Sequence, residues 1–181
     1  FAGGESTAAT ARSVDFDGSD WLTTASSTDY GFGTGDFTIE SWVKLDSYNS
    51  ALTAILSFTD DKNNIDISAS GSLMYYDGTS HNVGNVIPLG QWTHIAYSKE
   101  GTTLRIFANG LLLKTITTSV DVGTSARQAV IGSRFNGSQN TLDGSLSNYR
   151  IVKGTAVYTS SFRPPTEPLT SISGTSLLCC N

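Results

Sequence analysis

Short runs in which apolar and polar residues alternate recur along this chain of 181 residues, separated by clusters of Gly, Asn, Asp and Ser. A period of two places the apolar side chains on one face of a β-strand, whereas a helix requires a period near 3.6. No convincing helical period is present. We therefore predict an all-β chain, a single two-sheet antiparallel sandwich, since one domain of this length can bury a sizeable core.

The clearest part of this pattern lies between residues 91 and 117. It predicts three consecutive antiparallel strands at 91–98, 103–108 and 111–117, with a turn at 99–102. Asn109-Gly110 separates the last two strands, and because both residues tolerate a positive φ, the pair predicts a two-residue hairpin turn. The segment therefore indicates a three-stranded meander.

The same reasoning predicts further strands at 13–16, 21–24, 37–45, 54–58, 65–69, 73–77, 129–133, 144–152 and 176–180. The first and the last of these should lie in the same sandwich. Large apolar residues on the strands should fill its interior. Those expected there are Trp42, Trp92, Ile95, Ile106, Ile131 and Ile151.

Composition excludes two classes of partner. The net charge of −5 and the isoelectric point near 4.8 argue against nucleic acid, which is bound by basic surfaces. No apolar stretch approaches the roughly 18 residues of a membrane-spanning helix, so membrane insertion is not expected. Residues 1–12 are small and polar and are predicted to be a flexible lead-in or linker, which leaves 13–181 as the domain.

Cys179 and Cys180 are the only cysteines, and they are adjacent. Neighbouring residues on a strand point to opposite faces, so a bridge between these two would be strained. We expect two buried free thiols. The sequence indicates neither a disulfide framework nor a zinc site.

Three polar residues in the predicted strands have interpretations that need no function. His94 alternates with Trp92 and Ala96 on one face, which favours a packed imidazole over a ligand. Glu40 and Arg150 each lie in the middle of a strand among apolar neighbours. If their strands are adjacent, they should form a partly buried ion pair across the sheet.

Five segments, in their order along the chain, resemble those of a known family: SVDFDGSDWL, GTGDFTIESWV, GQWTHIAYSKEGTTLRIFANG, IGSRFNGS and LDGSLSNYRIVKGTAVYTSSFRPPTEPL. From about residue 13 to the end, the chain is similar to the laminin-G-like branch of the concanavalin A-like lectin and glucanase superfamily, whose fold is a jelly roll. The variant RIVKGTAVYT, the proline-rich segment after it and LLCC resemble copies in tailed-bacteriophage structural proteins. The resemblance implies a virion-surface or extracellular location, as tail fibre or decoration, where the domain can form a homo-oligomer.

The resemblance further implies a non-catalytic module that recognises cell-surface glycans. Glucanases of this fold carry Glu-x-Asp-x-Glu on a strand, because retaining hydrolysis requires two carboxylates about 5 Å apart. That motif is absent: each glutamate stands alone, and Asp15 and Asp17 form the nearest pair of suitable spacing. The alternative function is a purely structural virion protein that contacts other virion proteins and no sugar.

Family members often bind carbohydrate through loops at the rim of the sandwich, where an aromatic platform lies beside planar polar groups. One predicted turn offers Tyr75, Tyr76, Asp77, His81 and Asn82. Another offers Arg134, Asn136, Gln139 and Asn140. In the competing interpretation, Tyr75 and Tyr76 pack one on each face of the sheet and the loops are solvated.

No cofactor is required, but relatives often hold calcium between the first strand and a motif near the C-terminus. Calcium takes six to eight oxygen ligands. Asp17 and Asp20 are spaced so that a turn can direct both carboxylates at one point, and Asn148 stands where relatives commonly have an acidic residue. In the alternative, Asp17 and Gly18 form a turn that Asp20 caps.

Overall fold

A computed structural model describes residues 12–59, 62–134, 137 and 139–181. These residues form antiparallel strands in two sheets and one short 3-10 helix, Thr28–Tyr30. The strands are β1 (Val14–Asp17), β2 (Leu22–Thr23), β3 (Phe37–Leu45), β4 (Leu52–Phe58), β5 (Asn64–Ser68), β6 (Ser72–Tyr76), β7 (Ser80–Asn85), β8 (Thr93–Glu100), β9 (Thr103–Ala108), β10 (Leu111–Thr117), β11 (Ala129–Ile131), β12 (Asp143–Lys153) and β13 (Thr175–Cys179). The predicted all-β sandwich is confirmed. No helix in this part of the chain has the length and apolar character needed to cross a membrane.

The seven-stranded sheet has the order β1-β12-β3-β8-β9-β10, and β13 also pairs with β12. The six-stranded sheet has the order β2-β11-β4-β5-β6-β7. β1 pairs with the first half of β12 and β13 with its second half, so the first and last strands lie in the same sandwich, as predicted, and within one of its sheets. Between these halves the register of β12 shifts from Ser147 to Arg150, and Asn148 has a φ of 52°, which marks a β-bulge.

Apolar side chains from the facing sides of both sheets form the core. The four predicted isoleucines are all buried in it: Ile95, Ile106, Ile131 and Ile151. The prediction for Trp92 is wrong, because this side chain is 41% exposed, and Trp42 is only half-buried. On β3, Ile39 and Val43 face the core, so Trp42, at the other parity, lies on the outer face of the seven-stranded sheet.

Most predicted strands agree with the structure to within two residues at each end, and the predicted meander is β8-β9-β10. Asn109 and Gly110 have φ values of 47° and 74°, as a two-residue hairpin turn of this kind requires. One strand was not predicted: β7 follows β6 in a hairpin, where the sequence analysis places a turn.

A segment without regular secondary structure, residues 155–170, crosses the outer face of the seven-stranded sheet; we call it the strap. Tyr158 and Phe162 stack with ring centroids 3.6 Å apart, and Phe162 packs edge-on against Phe107 and His94. His94 is buried among these rings, which agrees with its interpretation as a packed imidazole. The strap thus forms a second, smaller aromatic layer outside the main core.

Cys180 is buried, Cys179 is half-buried, and both are free thiols. Contrary to the expected alternation of faces, their Sγ atoms lie 3.5 Å apart, because Cys180 has a φ of 61° and leaves the strand geometry. The hydrogen bond from the Cys180 thiol lowers the pKa of Cys179, against the smaller opposing effect of burial.

Candidate ligand-binding groove

A groove of about 460 Å³ lies on the outer face of the seven-stranded sheet, beside the strap. This volume is within the usual range for small-ligand sites. Its lining is contributed by the N-terminal segment, three strands or their ends, and the strap: Arg12, Ser13, Trp42, Trp92, Ser147, Asn148, Pro165 and Thr166. The groove is thus assembled from segments that are far apart in the sequence.

Two indoles form the apolar part of the groove. Trp42 is fixed from two sides, since its Nε1 donates to the carbonyl oxygen of Pro165 at 3.2 Å and its ring packs edge-on against His94. Trp92 immediately precedes β8 and is not enclosed in this way, which leaves its side chain as an open aromatic surface. The pair therefore offers one rigid wall and one exposed platform.

The polar part of the groove comes from the bulge in β12 and the segment before β1. Asn148 Oδ1 accepts a hydrogen bond from the backbone N–H of Leu169 at 3.0 Å, which ties the bulge to the strap. Ser147 Oγ donates to the carbonyl oxygen of Arg12 at 2.6 Å. These two bonds hold the backbone on both sides of the groove in place.

A buried ionic cluster holds the strap against the sheet. Arg150 lies opposite Glu40 in the register of β12 and β3, and its Nε donates to Glu40 Oε1 at 2.9 Å, which confirms the predicted ion pair across the sheet. The Tyr158 hydroxyl donates to Glu40 Oε2 at 2.8 Å, and Arg150 Nη1 donates to the Thr170 carbonyl at 3.0 Å. Both ends of the strap are thereby attached to one charge pair.

The pKa of Glu40 reflects two opposing effects. Burial raises it, but the close contact with His94, whose Nε2 lies 3.3 Å from Oε2, and the charge of Arg150 outweigh burial. The net pKa is therefore below the ordinary value, and Glu40 is ionised at neutral pH. Glu40 is fully buried and does not line the groove, so it is part of the scaffold.

The rim residues expected to bind a ligand are only partly accessible. Tyr75 is buried in the core and its hydroxyl donates to Asn63 Oδ1. Asp77 is buried too, and its Oδ2 accepts from the Thr118 hydroxyl at 2.7 Å. Its Oδ1 lies 3.2 Å from His81 Nε2. Neither Tyr75 nor Asp77 can therefore present its side chain to a sugar.

The two predicted rim sets nevertheless meet at one point. Arg134 Cζ lies 5.9 Å from the ring centroid of Tyr76, and Arg134 Nε donates to Asp66 Oδ1 at 3.1 Å. Tyr76 is half-buried beneath this guanidinium, so its ring exposes less surface for a sugar to stack on than the sequence indicates. Asn82 and Asn140 use their backbone carbonyls, which accept from Lys114 Nζ and from the N–H of Ala54. Asn136 lies outside the described residues.

The residues expected to bind calcium lie in two places. Asp20 Oδ1 accepts from the backbone N–H of Asp17 at 3.1 Å, and Asp17 Oδ1 accepts from the N–H and hydroxyl of Ser19, so the turn expected as the alternative is present. Asn148 is not beside them: Asp17 pairs with Asp143, five residues earlier on β12 and roughly 15 Å away along a strand. Among the described residues, no cluster of three or more His, Cys, Asp or Glu is arranged to hold a metal.

The groove was not predicted, because Trp92 was expected in the core and Arg12 in a flexible lead-in or linker. One signal was available. The prolines of segment 161–170 cannot donate hydrogen bonds to a sheet ladder, so this segment is expected to cross the surface of a sheet as an extended connection. A groove can form along the side of such a connection.

Comparison with known proteins identifies the family. A laminin G family model (Laminin_G_3), described as the concanavalin A-like lectin/glucanases superfamily, matches residues 16–157. The chain belongs to this superfamily. Its two antiparallel sheets are accordingly those of a concanavalin A-like jelly roll. No curated protein matches the chain significantly.

Three solved structures illustrate the similarity of this laminin-G-like domain to other proteins. Domain 4 of AbnA, an extracellular arabinanase from Geobacillus stearothermophilus solved with arabinotriose, has a TM-score of 0.64 and 20% identity, over 80% of this chain and 72% of that one. The CBM40 of the Ruminococcus gnavus IT-sialidase, bound to α2,3-sialyllactose, has a TM-score of 0.64 and 15% identity, over 81% and 92%. Mouse laminin α1 domains LG4-5 have a TM-score of 0.58 and 14% identity, over 89% and 48%. At these identities the likeness establishes the fold alone.

Proposed function

We propose that this laminin-G-like domain is a non-catalytic glycan-binding module and that the sugar binds in the groove between Trp92 and the strap. The exposed indole of Trp92 carries the proposal. A large aromatic ring is normally buried, and one left open beside polar groups in a cleft offers the flat face on which a sugar ring stacks.

Rigidity of the groove supports this function. Trp42 is hydrogen-bonded to Pro165, and Asn148 is hydrogen-bonded to Leu169, so the walls are positioned before any ligand arrives. A pre-organised site avoids the entropic cost of ordering side chains on binding. Weak stacking contacts can then yield a useful affinity.

The solved neighbours also favour carbohydrate as the ligand class, since two of them were determined with arabinotriose and α2,3-sialyllactose. The AbnA domain belongs to an extracellular enzyme, which favours an extracellular location for this domain too. The finer prediction, a role on a virion surface, is supported by the sequence resemblance to phage structural proteins. It would be tested by attachment of the domain to phage particles.

A binding role without catalysis fits the environments of the carboxylates. Glu40 is enclosed in its ion pair, Glu100 pairs with Arg105 at 3.3 Å, and Glu167 is exposed on the strap. Asp15 accepts from the Ser145 hydroxyl, and Asp17 is bonded within its turn. None of these gives the opposed acid and nucleophile that glycoside hydrolysis requires.

Replacing Trp92 by Ala tests the proposal. The variant should bind glycans at least about fivefold more weakly, because an aromatic stacking contact contributes roughly 1 kcal/mol or more. Its stability should change little, since much of the indole is already in water. The measurement is a glycan array with wild-type protein, followed by titration of the best ligand against each variant.

The matched control is Tyr76→Ala, which removes the aromatic residue of the rim. We expect this variant to bind like the wild type. Loss of binding in Tyr76→Ala with full binding in Trp92→Ala would move the site to the rim. Absence of any glycan binding by the wild type would favour the purely structural function.

A further inference from the structure

We infer that the groove selects glycans that carry a carboxylate, such as a terminal sialic acid or a uronic acid. The inference rests on the proposed function and adds the chemical class of the ligand. It follows from the hydrogen-bonding groups and the charge that the groove presents.

Several acceptors around the groove are already engaged. Asn148 Oδ1 accepts from Leu169, and the carbonyl oxygen of Pro165 accepts from Trp42. The carbonyl oxygens of Arg12 and Ser147 accept from the hydroxyls of Ser147 and Ser41 at 2.6 and 3.0 Å. Each of these oxygens therefore has reduced capacity to receive a hydrogen bond from a ligand.

The groove also contains donors, although Asn148 itself is only 4% exposed. With Asn148 Oδ1 bonded to the strap, the side-chain group that Asn148 can still offer is its NH₂, which has two donors. The indole N–H of Trp92, which also lines the groove, is a further donor. Arg12 adds a guanidinium, which has five donors and accepts nothing. The groove thus presents a guanidinium, an amide NH₂ and an indole N–H as donors, beside the hydroxyls of Ser13 and Thr166, which both donate and accept.

Charge points in the same direction. Arg12 is exposed and is the charged residue that lines the groove, and no Asp or Glu is among the described lining residues. Glu167 follows the lining residue Thr166 but does not itself line the groove. The whole protein has a net charge of −5, so attraction of an anion must come from this local positive charge and not from the overall field.

These features discriminate between neutral and acidic sugars. A neutral sugar presents hydroxyls, each of which donates as well as accepts, so it gains from acceptors in a site as well as from donors. A carboxylate only accepts, and guanidinium is its preferred partner in planar, two-bond geometry. A ring that stacks on Trp92 with its carboxylate towards Arg12 would satisfy both parts of the groove.

The experiment compares ligands that differ only in charge. Wild-type domain is titrated with 3′-sialyllactose, with its methyl ester and with lactose, and in a second arm with a glucuronate-terminated disaccharide and its methyl ester. We expect one of the acids to bind at least tenfold more tightly than its ester at low salt. The preference should shrink as salt is raised, because the guanidinium is exposed to solvent. The arm that shows the preference identifies the acidic sugar.

Three variants assign the preference to Arg12. Arg12→Gln should bind acid and ester equally, and Arg12→Lys should retain part of the preference. Arg163→Gln removes the same charge from an exposed position on the strap that does not line the groove, and it should behave as the wild type.

Two results would overturn the inference while leaving the proposed function intact: equal affinity of the wild type for each acid and its ester, or an unchanged preference in Arg12→Gln. Binding of no glycan at all by the wild type would instead contradict the proposed function, and the inference with it.

Discussion

At the scale of single residues, ionisation of Glu40 makes the stability of the fold depend on pH. Arg150, His94 and Tyr158 surround its carboxylate, and together they hold its pKa below the ordinary value of 4.5. In the unfolded chain the pKa returns to that value. The ionised group therefore stabilises the fold fully above about pH 4.5, and this contribution is lost as the pH falls through the folded-state pKa.

We predict that the free energy of unfolding decreases as the pH is lowered below about 4.5, and that Glu40→Gln flattens this decrease. Urea unfolding at a series of pH values measures the slope. Glu100→Gln is the control: the Glu100 side chain is 55% exposed, so this variant should keep the wild-type slope. A wild-type slope in Glu40→Gln would show that other carboxylates govern acid unfolding.

At neutral pH, Arg150→Ala should lower the free energy of unfolding by about 3 to 5 kcal/mol, because it leaves Glu40 buried and unpaired.

Single residues also show where sequence reasoning succeeds and where it fails. The Glu40 and Arg150 pair could be predicted, because two charges in the middle of apolar strands have few ways to be satisfied other than each other. Trp92 could not be placed in the same way. Alternation shows which residues share its face, but whether that face is covered depends on the strap, about 70 residues later in the chain.

At the scale of elements, the strap depends on the hairpin between β9 and β10. The N–H of Phe162 donates to the Gly110 carbonyl at 2.9 Å, and a Cβ added to Gly110 would lie 1.9 Å from the Phe162 carbonyl oxygen. Gly110 therefore serves two purposes, since its positive φ forms the turn and its missing side chain admits the strap.

We predict that Gly110→Ala destabilises the domain by roughly 3 kcal/mol or more, because it adds a backbone clash to an unfavourable φ. Gly101→Ala is the matched control. Gly101 also has a positive φ, 55°, but nothing lies within 4 Å of an added Cβ, so the cost should be only about 1 kcal/mol. Equal denaturation midpoints for the two variants would mean that the strap can move away from the added methyl group at residue 110 without loss of stability.

The strands were predictable to different degrees. Long strands such as β3, β8 and β12 carry strong alternation and appear close to their predicted bounds. β7 has the sequence SHNVGN and lies at the edge of the six-stranded sheet, where one side pairs with β6 and most side chains are solvated. Such a strand buries little apolar surface, so its sequence has no pattern that separates it from a turn.

At the scale of the whole molecule, the calcium proposal concerns global stability. An ion bound only by the folded state raises the unfolding midpoint in proportion to the logarithm of its concentration above the dissociation constant. If the turn of Asp17 and Asp20 binds calcium, thermal unfolding in millimolar calcium should occur above the midpoint measured with excess chelator, and Asp20→Ala should abolish the difference. Identical midpoints for the wild type under both conditions would contradict the proposal.

The groove, too, belongs to the whole molecule. The fold class follows from local periodicity and could be predicted from the sequence. Arg12, Trp42, Trp92, Asn148 and Pro165 meet only after β1, β3, β8, β12 and the strap have taken their places. Loops that carry an aromatic beside polar residues are visible in a sequence, which is why the rim was predicted and the groove was not.

The bulge in β12 determines where the domain can be attached to a tag or a surface without covering the groove. On one side, Ser147 binds the carbonyl of Arg12, and on the other the N–H of Asn148 donates to the Cys180 carbonyl at 2.8 Å. Residues 12 and 180 thus lie on the two sides of the same bulge, next to the groove. A biosensor surface or bulky tag coupled near residue 12 or near residue 180 would lie against the site and reduce ligand access. Coupling through a cysteine introduced in the hairpin of β6 and β7, on the opposite sheet, would leave the groove facing the solution.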